Sequence, residues 1–381
     1  MKTKRFLILG ILVVSLGIMA SFKLTSPLSD TLNLPLEKIK LPKGFKIAIY
    51  AHVPNARSMV LSEKGTLFVG NRSEDNVYAV QDTNGDKIGD KVYIIDKGLK
   101  VPNGVAFKEG DLYVAEVSRI LKYENIEGHL ANPPEPTVIF DGYPTERHHG
   151  WKYIAFGPDG LLYVPVGAPC NVCDKDNPIY ASITRINVDN PSPEIVAKGV
   201  RNSVGFDWEP KTGKLWFTDN GRDMMGDDVP PCELNVITTA NQHFGFPYCH
   251  GGEVLDPKFG KGKECDDYTA PAWKFGAHVA PLGMVFYEGN MFPKSFDNDI
   301  FVAQHGSWNR STKSGYVIMV LDHTGKTVNN AKVFASGWLN KETQKSWGRP
   351  VDIITMPDGS LLVSDDYADV IYRISYEANV N

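Results

Sequence analysis

Two adjacent histidines, His148 and His149, stand between Arg147 and Lys152 in the stretch ERHHGWKY, directly before the apolar run IAFGPDGLLYVPVG. Histidine is the side chain whose unperturbed pKa lies nearest neutrality, so a histidine fixed in a loop suits proton transfer. Three further regions mix polar residues with cations. The first is KGVRNSVGFDWEP, with Arg201 and Asn202, which runs on to TDNGRDMMGDD at 218–228. The second is GAHVAPLGMVFY at 276–287, followed by AQHGSWNRSTKSGY at 303–316. The third is SWGRPVDIITMPDG at 346–359. Lys152, Arg201, Arg310, Lys313 and Arg349 place positive charge in these loops. Several cations converging on one site imply an anionic ligand with more than one carboxylate, because a guanidinium grips a carboxylate through two parallel hydrogen bonds.

Loops so far apart in sequence need a scaffold that gathers them. One phrase recurs six times: KGTLFVGN at Lys64, EGDLYVAE at Glu109, PDGLLYVPVG at Pro158, TGKLWFTDNG at Thr212, DNDIFVAQHG at Asp297 and PDGSLLVSDD at Pro357. Each copy is a Gly or Asp turn followed by a short strand of β-branched, aromatic and aliphatic residues. No amphipathic helix stands out beyond the N-terminal segment. Repeats of this length built from short strands predict an all-β fold, a six-bladed β-propeller with four-stranded antiparallel blades. A two-domain sandwich is the structural rival. The strand Phe45 to Ala51 pairs with Val370 to Tyr376 in this reading, which closes the ring and removes exposed sheet edges. Trp151, Trp208, Trp216 and Trp308 are expected in blade packing rather than in a sugar platform.

The 381 residues carry a formal net charge of −5 and no long basic run, so a nucleic-acid surface is not expected. Lys2, Lys4 and Arg5 precede FLILGILVVSLGIMA, the layout of a signal peptide and shorter than the ~20 residues of a membrane span. Residues 1–25 therefore read as an export signal or N-terminal anchor, with the propeller over 40–378, an insertion near 240–278, and a periplasmic or secreted location. No other membrane span is expected. Export permits disulfides. Of five cysteines, Cys249–Cys265 is the first pairing to expect and Cys170–Cys173 the second, with Cys232 left over. Cys170-Asn-Val-Cys173 lacks the following His of a haem attachment site, so electrons would pass to an external acceptor.

The order of His149 eight residues before GPDG, GVRNSVGFDW, the GRD–GDD–ELN run, HVAPLGMVFY, HGSWNR and GRPVD–PDG resembles the soluble PQQ-dependent glucose/sorbosone dehydrogenase family, closest to its L-sorbosone branch. The resemblance covers about residues 40–378. It implies a six-bladed propeller that oxidises an aldose, sorbosone or related sugar, with PQQ and Ca²⁺ as cofactors. It implies His149 as general base. It assigns Arg201, Asn202, His278, Arg349 and Lys313 to PQQ, with Arg310 as the alternative to Lys313. It assigns the backbone carbonyls of Gly221 and Arg222 to Ca²⁺. Two positions depart from the pattern: Ala168 stands where the family carries an acidic partner for the histidine, and Val351 where it carries a second PQQ-binding arginine.

Other readings stay beside this one. His148 reads as structural. Asp227, Asp228 and Glu233 are either calcium ligands or turn and cap residues. Asp82, Asn84, Asp86 and Asp90 follow the spacing of a calcium loop, giving a second Ca²⁺ site or an Asx-rich turn. A metal-dependent lactonase-type propeller would centre on side-chain carboxylates, whereas these loops are rich in cations. A non-catalytic binding propeller would share the fold without the chemistry.

Overall fold

The computed structural model describes residues 34–378, so the apolar segment at 1–25 lies outside the described residues. The chain forms six four-stranded antiparallel sheets. Blade 1 comprises Ala56–Leu61, Leu67–Asn71, Val77–Gln81 and Lys91–Asp96. Blade 2 comprises Gly104–Lys108, Asp111–Ala115, Ile120–Tyr123 and Thr137–Phe140. Blade 3 comprises Ala155–Phe156, Leu162–Val166, Ser182–Ile186 and Glu194–Lys198. Blade 4 comprises Phe206–Trp208, Leu215–Asp219, Pro231–Val236 and Trp273–Ala277. Blade 5 comprises Pro281–Phe286, Ile300–Gln304, Val317–Thr324 and Thr327–Ser336. Blade 6 takes Pro350–Thr355, Leu361–Asp365 and Val370–Tyr376, and its fourth strand is Phe45–His52 from the start of the propeller. In five of the six neighbouring pairs of blades the first strands pack on one another, so they surround the axis. The architecture is the propeller that the repeats predicted; the sandwich is not formed.

Every repeat copy is the second strand of a blade. Five of these six strands are buried at every position. Each lies between two strands of its own sheet and packs on neighbouring blades through both faces. That is why the copies read as continuous apolar runs and not as an alternation. Outer strands such as Thr327–Ser336 mix exposed and buried residues. The core is correspondingly a ring of wedges between blades. Phe68, Val77 and Ile95 of blade 1 pack on Val105, Leu112 and Val114 of blade 2, and Trp216 and Leu234 of blade 4 pack on Met284, Ile300 and Val302 of blade 5. Between blades 5 and 6 the wedge is aromatic, with the Phe45 ring 4.7 Å from Phe292 and 4.9 Å from Phe334.

Closure follows the expected pairing. Phe45 stands opposite Tyr376 and His52 opposite Val370, with a bulge between Ile49 and Ala51. Between the last two strands of blade 4 the chain makes a compact excursion, with a short ribbon of Cys249–His250 on Val254–Leu255 and a Cys249–Cys265 disulfide. Cys170 and Cys173 form the second disulfide, and Cys232 is a buried free thiol. All three cysteine expectations hold. Among the described residues no helix is long and apolar enough to cross a membrane.

Two buried aspartates stitch the inner strands together. Asp352 accepts the Met59 N–H at 2.8 Å and the Ile353 N–H at 2.9 Å. Asp207 accepts the Phe286 N–H and the Trp208 N–H, each at 2.8 Å. Neither has a cation in contact, and burial raises each carboxyl from 3.8 to about 7. The folded chain therefore holds protons that the unfolded chain releases above its ordinary carboxylate pKa, so these groups make stability fall as pH rises from about 4 to about 7, by about 1.4 kcal/mol per pH unit for each group at most. Asp352→Asn cannot titrate. Its unfolding free energy relative to the parent should rise between pH 5 and pH 7, measured by denaturant melts; a pH-independent difference would refute the assignment.

Candidate active site

Loops that enter first strands and loops that leave second strands meet on one face, around a cavity of about 400 Å³. His148 to Trp151 arrive from the connection between blades 2 and 3. Arg201 and Asn202 arrive between blades 3 and 4, and His278 to Leu282 between blades 4 and 5. Arg349 precedes blade 6. From the ends of second strands come Arg72, Asn220 to Asp223, and His305 to Asn309.

His149 is 7 % exposed and sits at φ +52°, a left-handed conformation rare outside glycine. It fits because Gly167 lies against it: a Cβ on Gly167 would meet the His149 Cβ at 2.6 Å. His149 Nδ1 lies 2.8 Å from the Ala168 carbonyl oxygen. A carbonyl can only accept, so Nδ1 carries the proton and Nε2 presents its lone pair. Among the described residues Nε2 makes no hydrogen bond, and the ring lines the cavity. The missing acidic partner at Ala168 is thus replaced by backbone. Burial, together with the neighbouring Arg201 and His148, holds the His149 pKa well below 6.5, so the imidazole is neutral and able to accept a proton at pH 7.

Four guanidinium groups face the same cavity. Arg201 is almost fully buried; its Nη2 meets the Asp223 carboxylate at 3.0 Å. Arg349 donates only to backbone, to the His305 carbonyl at 3.0 Å and the Gly306 carbonyl at 2.7 Å. Arg57 bonds Asp366 at 2.9 Å, and Asp366 also accepts from His305 Nε2 at 2.7 Å. Burial alone would raise the Asp366 pKa, but His305 and Arg57 outweigh it and hold the carboxyl below its ordinary value. Arg72 has no carboxylate partner and no side-chain hydrogen bond among the described residues; its guanidinium lies 4.1 Å over the Trp151 ring. Burial, with Arg57 nearby, lowers the Arg72 pKa to about 10. Among the described residues the Asn202 amide is also unpartnered at the wall, and both polar atoms of the Asn309 side chain are buried without a partner.

The structure brings His149, Arg201, Asn202, His278 and Arg349 together and leaves other expected groups out. His278 donates through Nε2–H to the Gly226 carbonyl at 2.7 Å, which fixes Nε2 as the protonated nitrogen. Arg310 does not line the cavity, because it is committed to the Asp227 carbonyl at 2.9 Å and to Asp228 at 2.5 Å. Asp228 is thus an ion-pair partner of Arg310, and the Asp227 carboxylate accepts the Ser311 N–H at 3.0 Å. Lys313 lies outside the lining with its Nζ 6.0 Å from the Tyr316 ring. Lys152 turns inward, donating to the Val117 carbonyl at 2.5 Å. Val351 packs with Val204 and Leu282 beneath the cavity. Trp151 and Trp308 line the cavity, Trp308 being 66 % exposed, whereas Trp208 and Trp216 pack between blades as expected.

The two calcium expectations fall in different surroundings. The Gly221 carbonyl accepts the Arg201 Nη1–H at 2.9 Å through one of its two lone pairs. The Arg222 side chain turns to Asp256. At Asp82 to Asp90 the oxygens are spent within the loop: Asp82 accepts Gly85 and Lys87 N–H groups, Asn84 accepts Asp86 N–H, Asp86 accepts Ile88 N–H, and Asp90 accepts from Thr83. This exposed blade turn lies apart from the cavity. Among the described residues no group of three or more His, Cys, Asp or Glu side chains is placed to hold a metal ion.

Arg57, Arg72, His305 and Asn309 were not singled out from sequence, although the repeats contain a signal for two of them. The fifth residue after the leading Leu or Ile of each copy is Arg72, Val117, Gly167, Asn220, His305 or Asp366. Arg72, Asn220 and His305 line the cavity; Gly167 and Asp366 contact residues that do.

The fold is a six-bladed propeller with a histidine and several guanidinium groups in one cavity at its axis. The chain belongs to the TrAA12-like family, whose model matches residues 39–377. An uncharacterised protein of Borreliella burgdorferi is 38 % identical over 355 residues, covering 89 % of this chain and 91 % of that one. A calcium structure of the Trichoderma reesei family AA12 enzyme superposes with TM-score 0.79 at 17 % identity, covering 89 % of this chain and 97 % of that one. The holo PQQ domain of pyranose dehydrogenase from Coprinopsis cinerea superposes with TM-score 0.73 at 18 % identity, covering 88 % and 97 %. At these identities the structural likenesses establish the fold.

The His149 geometry has a direct readout. In the cofactor-free protein its imidazole should titrate well below 6.5 by NMR, because burial and Arg201 disfavour the charged form. Arg201→Gln should move the titration upward, towards the ordinary value. A parent pKa at or above 6.5 would contradict the placement.

Proposed function

We propose that this chain is an exported PQQ-dependent sugar dehydrogenase, with His149 as general base, Arg72 and Arg349 as carboxylate-binding cations and Arg201 as a buried cation that adds positive charge to the wall. One observation carries the reading: a buried, positively charged cavity holds an unpaired guanidinium, Arg72, beside a histidine whose Nε2 is free. The residues fit a flat polyanionic cofactor. Its volume is within the usual range for small-molecule sites, and the orphaned Asn309 amide and unpartnered Asn202 amide offer further polar contacts. When bound, PQQ would supply the two-electron acceptor that no side chain here provides.

Each residue then has a definite task. Arg72 and Arg349 grip carboxylates, Arg201, whose five N–H donors are already taken, adds positive charge at the wall, and Trp151 lies under the Arg72 guanidinium. Asn202 and Asn309 can donate or accept at the cavity wall. His149 Nε2 takes the proton of the substrate hydroxyl as that carbon is oxidised, while Ala168 keeps the proton on Nδ1. Exposed Trp308 offers an apolar face to a sugar ring. No step here is routed through calcium, whose expected ligands are the Gly221 and Arg222 carbonyls; the first of these also accepts from Arg201. An external acceptor receives the electrons. Two disulfides support export to an oxidising compartment. A lactonase reading is disfavoured, because Asp223 is the carboxylate at the cavity wall and it is paired with Arg201.

The test is reconstitution. PQQ added to the purified apo chain should bind, by absorbance and calorimetry, and permit dye reduction across an aldose panel. His149→Ala should retain PQQ and lose kcat by roughly 10²–10⁴-fold. Arg72→Ala and Arg349→Ala should weaken PQQ binding by roughly 10–100-fold each, the worth of a charge-assisted hydrogen bond. Absence of PQQ binding would overturn the proposal and leave a binding propeller.

A further inference from the structure

The C-x-x-C motif has no part in the chemistry above, yet its disulfide closes a loop that touches both the base and the principal buried cation. From Gly167 to Cys173 the chain reads GAPCNVC. At one end, the Ala168 N–H donates to the Arg201 carbonyl at 2.9 Å. The Ala168 carbonyl in turn accepts from His149 Nδ1 at 2.8 Å. At the other end, Asn171 receives the Arg201 guanidinium twice. Its carbonyl accepts Nε–H at 2.9 Å and its Oδ1 accepts an Nη2–H at 2.9 Å. The same Oδ1 accepts the Asp223 N–H at 2.9 Å, and Nδ2 donates to the Asp223 carbonyl at 3.0 Å. Asp223 is the carboxylate that pairs Arg201. Cys170 and Cys173 flank Asn171 and are bonded to each other.

We propose that the Cys170–Cys173 disulfide and Asn171 form a redox-sensitive bracket that positions Arg201, Asp223 and His149 together. The argument is one of conformational freedom. A segment whose carbonyl, side-chain oxygen and side-chain nitrogen must all be correctly aimed is costly to order. A covalent closure of four residues removes most of the competing conformations. Asn is required at 171 because the position both donates and accepts; Asp could not donate and Leu could do neither. Reduction adds two electrons and two protons from an external dithiol, or from two thiols, which end as a disulfide, and leaves two free cysteines. The released segment then no longer fixes the Arg201 fork or the histidine tautomer. Asn171 and the disulfide are positioning elements; they touch neither substrate nor cofactor in the assignment of roles above.

This inference rests on the proposed function only for its cofactor readout, and a second readout is independent. In the cofactor-free chain, ¹⁵N shifts should show His149 as a single Nδ1–H tautomer when the disulfide is closed. They should show an exchanging mixture after phosphine reduction or in Cys170→Ser/Cys173→Ser. In parallel, PQQ affinity should fall roughly 10–100-fold on reduction and return on reoxidation, as loosening of charge-assisted bonds to one guanidinium implies. Asn171→Ala keeps the disulfide and should reproduce the affinity loss without the redox dependence of its size. Cys249→Ser/Cys265→Ser controls for the second bridge. If thiol counting proves reduction at Cys170 and Cys173 while tautomer and affinity both stay unchanged, the bracket is wrong. If oxidised protein never binds PQQ, the proposed function fails, and the tautomer experiment still decides the bracket.

Discussion

Four guanidinium groups share a cavity of about 400 Å³, and much of the surrounding structure answers their mutual repulsion. Like charges in a poorly solvated space raise each other's energy. Each arginine is stabilised differently. Arg201 has a carboxylate, three carbonyls and an amide oxygen; Arg57 has Asp366 and Asn103. Arg349 has two carbonyls. Arg72 has only the face of Trp151. The series runs from full neutralisation to almost none, so the positive potential is not spread evenly. It is concentrated at Arg72, beside the neutral His149. A polyanion entering the cavity would relieve the repulsion most where the protein has done least.

The propeller makes such an arrangement tolerable. Second strands are buried on both faces, and inter-blade wedges of Phe, Val, Leu and Trp hold them. Residues at their ends therefore have little freedom to swing away from an unfavourable charge. Backbone is recruited as well. His149, His278 and Ala280 all sit at positive φ within the cavity loops, conformations that persist only where the surroundings over-determine them. Rigid strand ends and strained connections together fix where each proton and each positive charge resides.

What could be read from the sequence follows from this division. The repeats were legible because burial on both faces writes a continuous apolar run, and ring closure was legible because FKIAIYA and VIYRISY complement one another. His149, Arg201, Asn202, His278 and Arg349 stood out by type and setting, and they do meet. Arg310 and Lys313 stood out equally and do not, since Asp227, Asp228 and Gln344 fix the loop that carries them. Nothing local distinguishes an arginine aimed at an axis from one aimed at a turn. Arg72 and His305 were hidden for the opposite reason: each follows an ordinary strand, and only superposition of the six repeat copies shows that this position faces inward. The support of His149 by Ala168 was invisible because it is made by a carbonyl, which every residue possesses.

The two departures from the dehydrogenase pattern also acquire a physical meaning. Exchanging an acidic partner for the Ala168 carbonyl preserves the tautomer of His149 but removes a negative charge. A carboxylate there would favour the imidazolium and raise the pKa; a carbonyl orients the ring while leaving burial and Arg201 to keep it neutral. With Val351 in place of a cation, the axis beneath the cavity is apolar, packed by Val204 and Leu282 under Trp151. Trp151 in turn carries Arg72. Arg72, at the end of the second strand of blade 1, lies over the same Trp151 ring that packs on the cluster containing Val351. An arginine at 351 would intrude on that plug and stand close to the Trp151–Arg72 stack, adding a fifth positive charge to the same small space. The two departures are coherent: one leaves no anion beside His149, the other no cation beneath it, and the cavity keeps both a neutral histidine and a strongly positive wall.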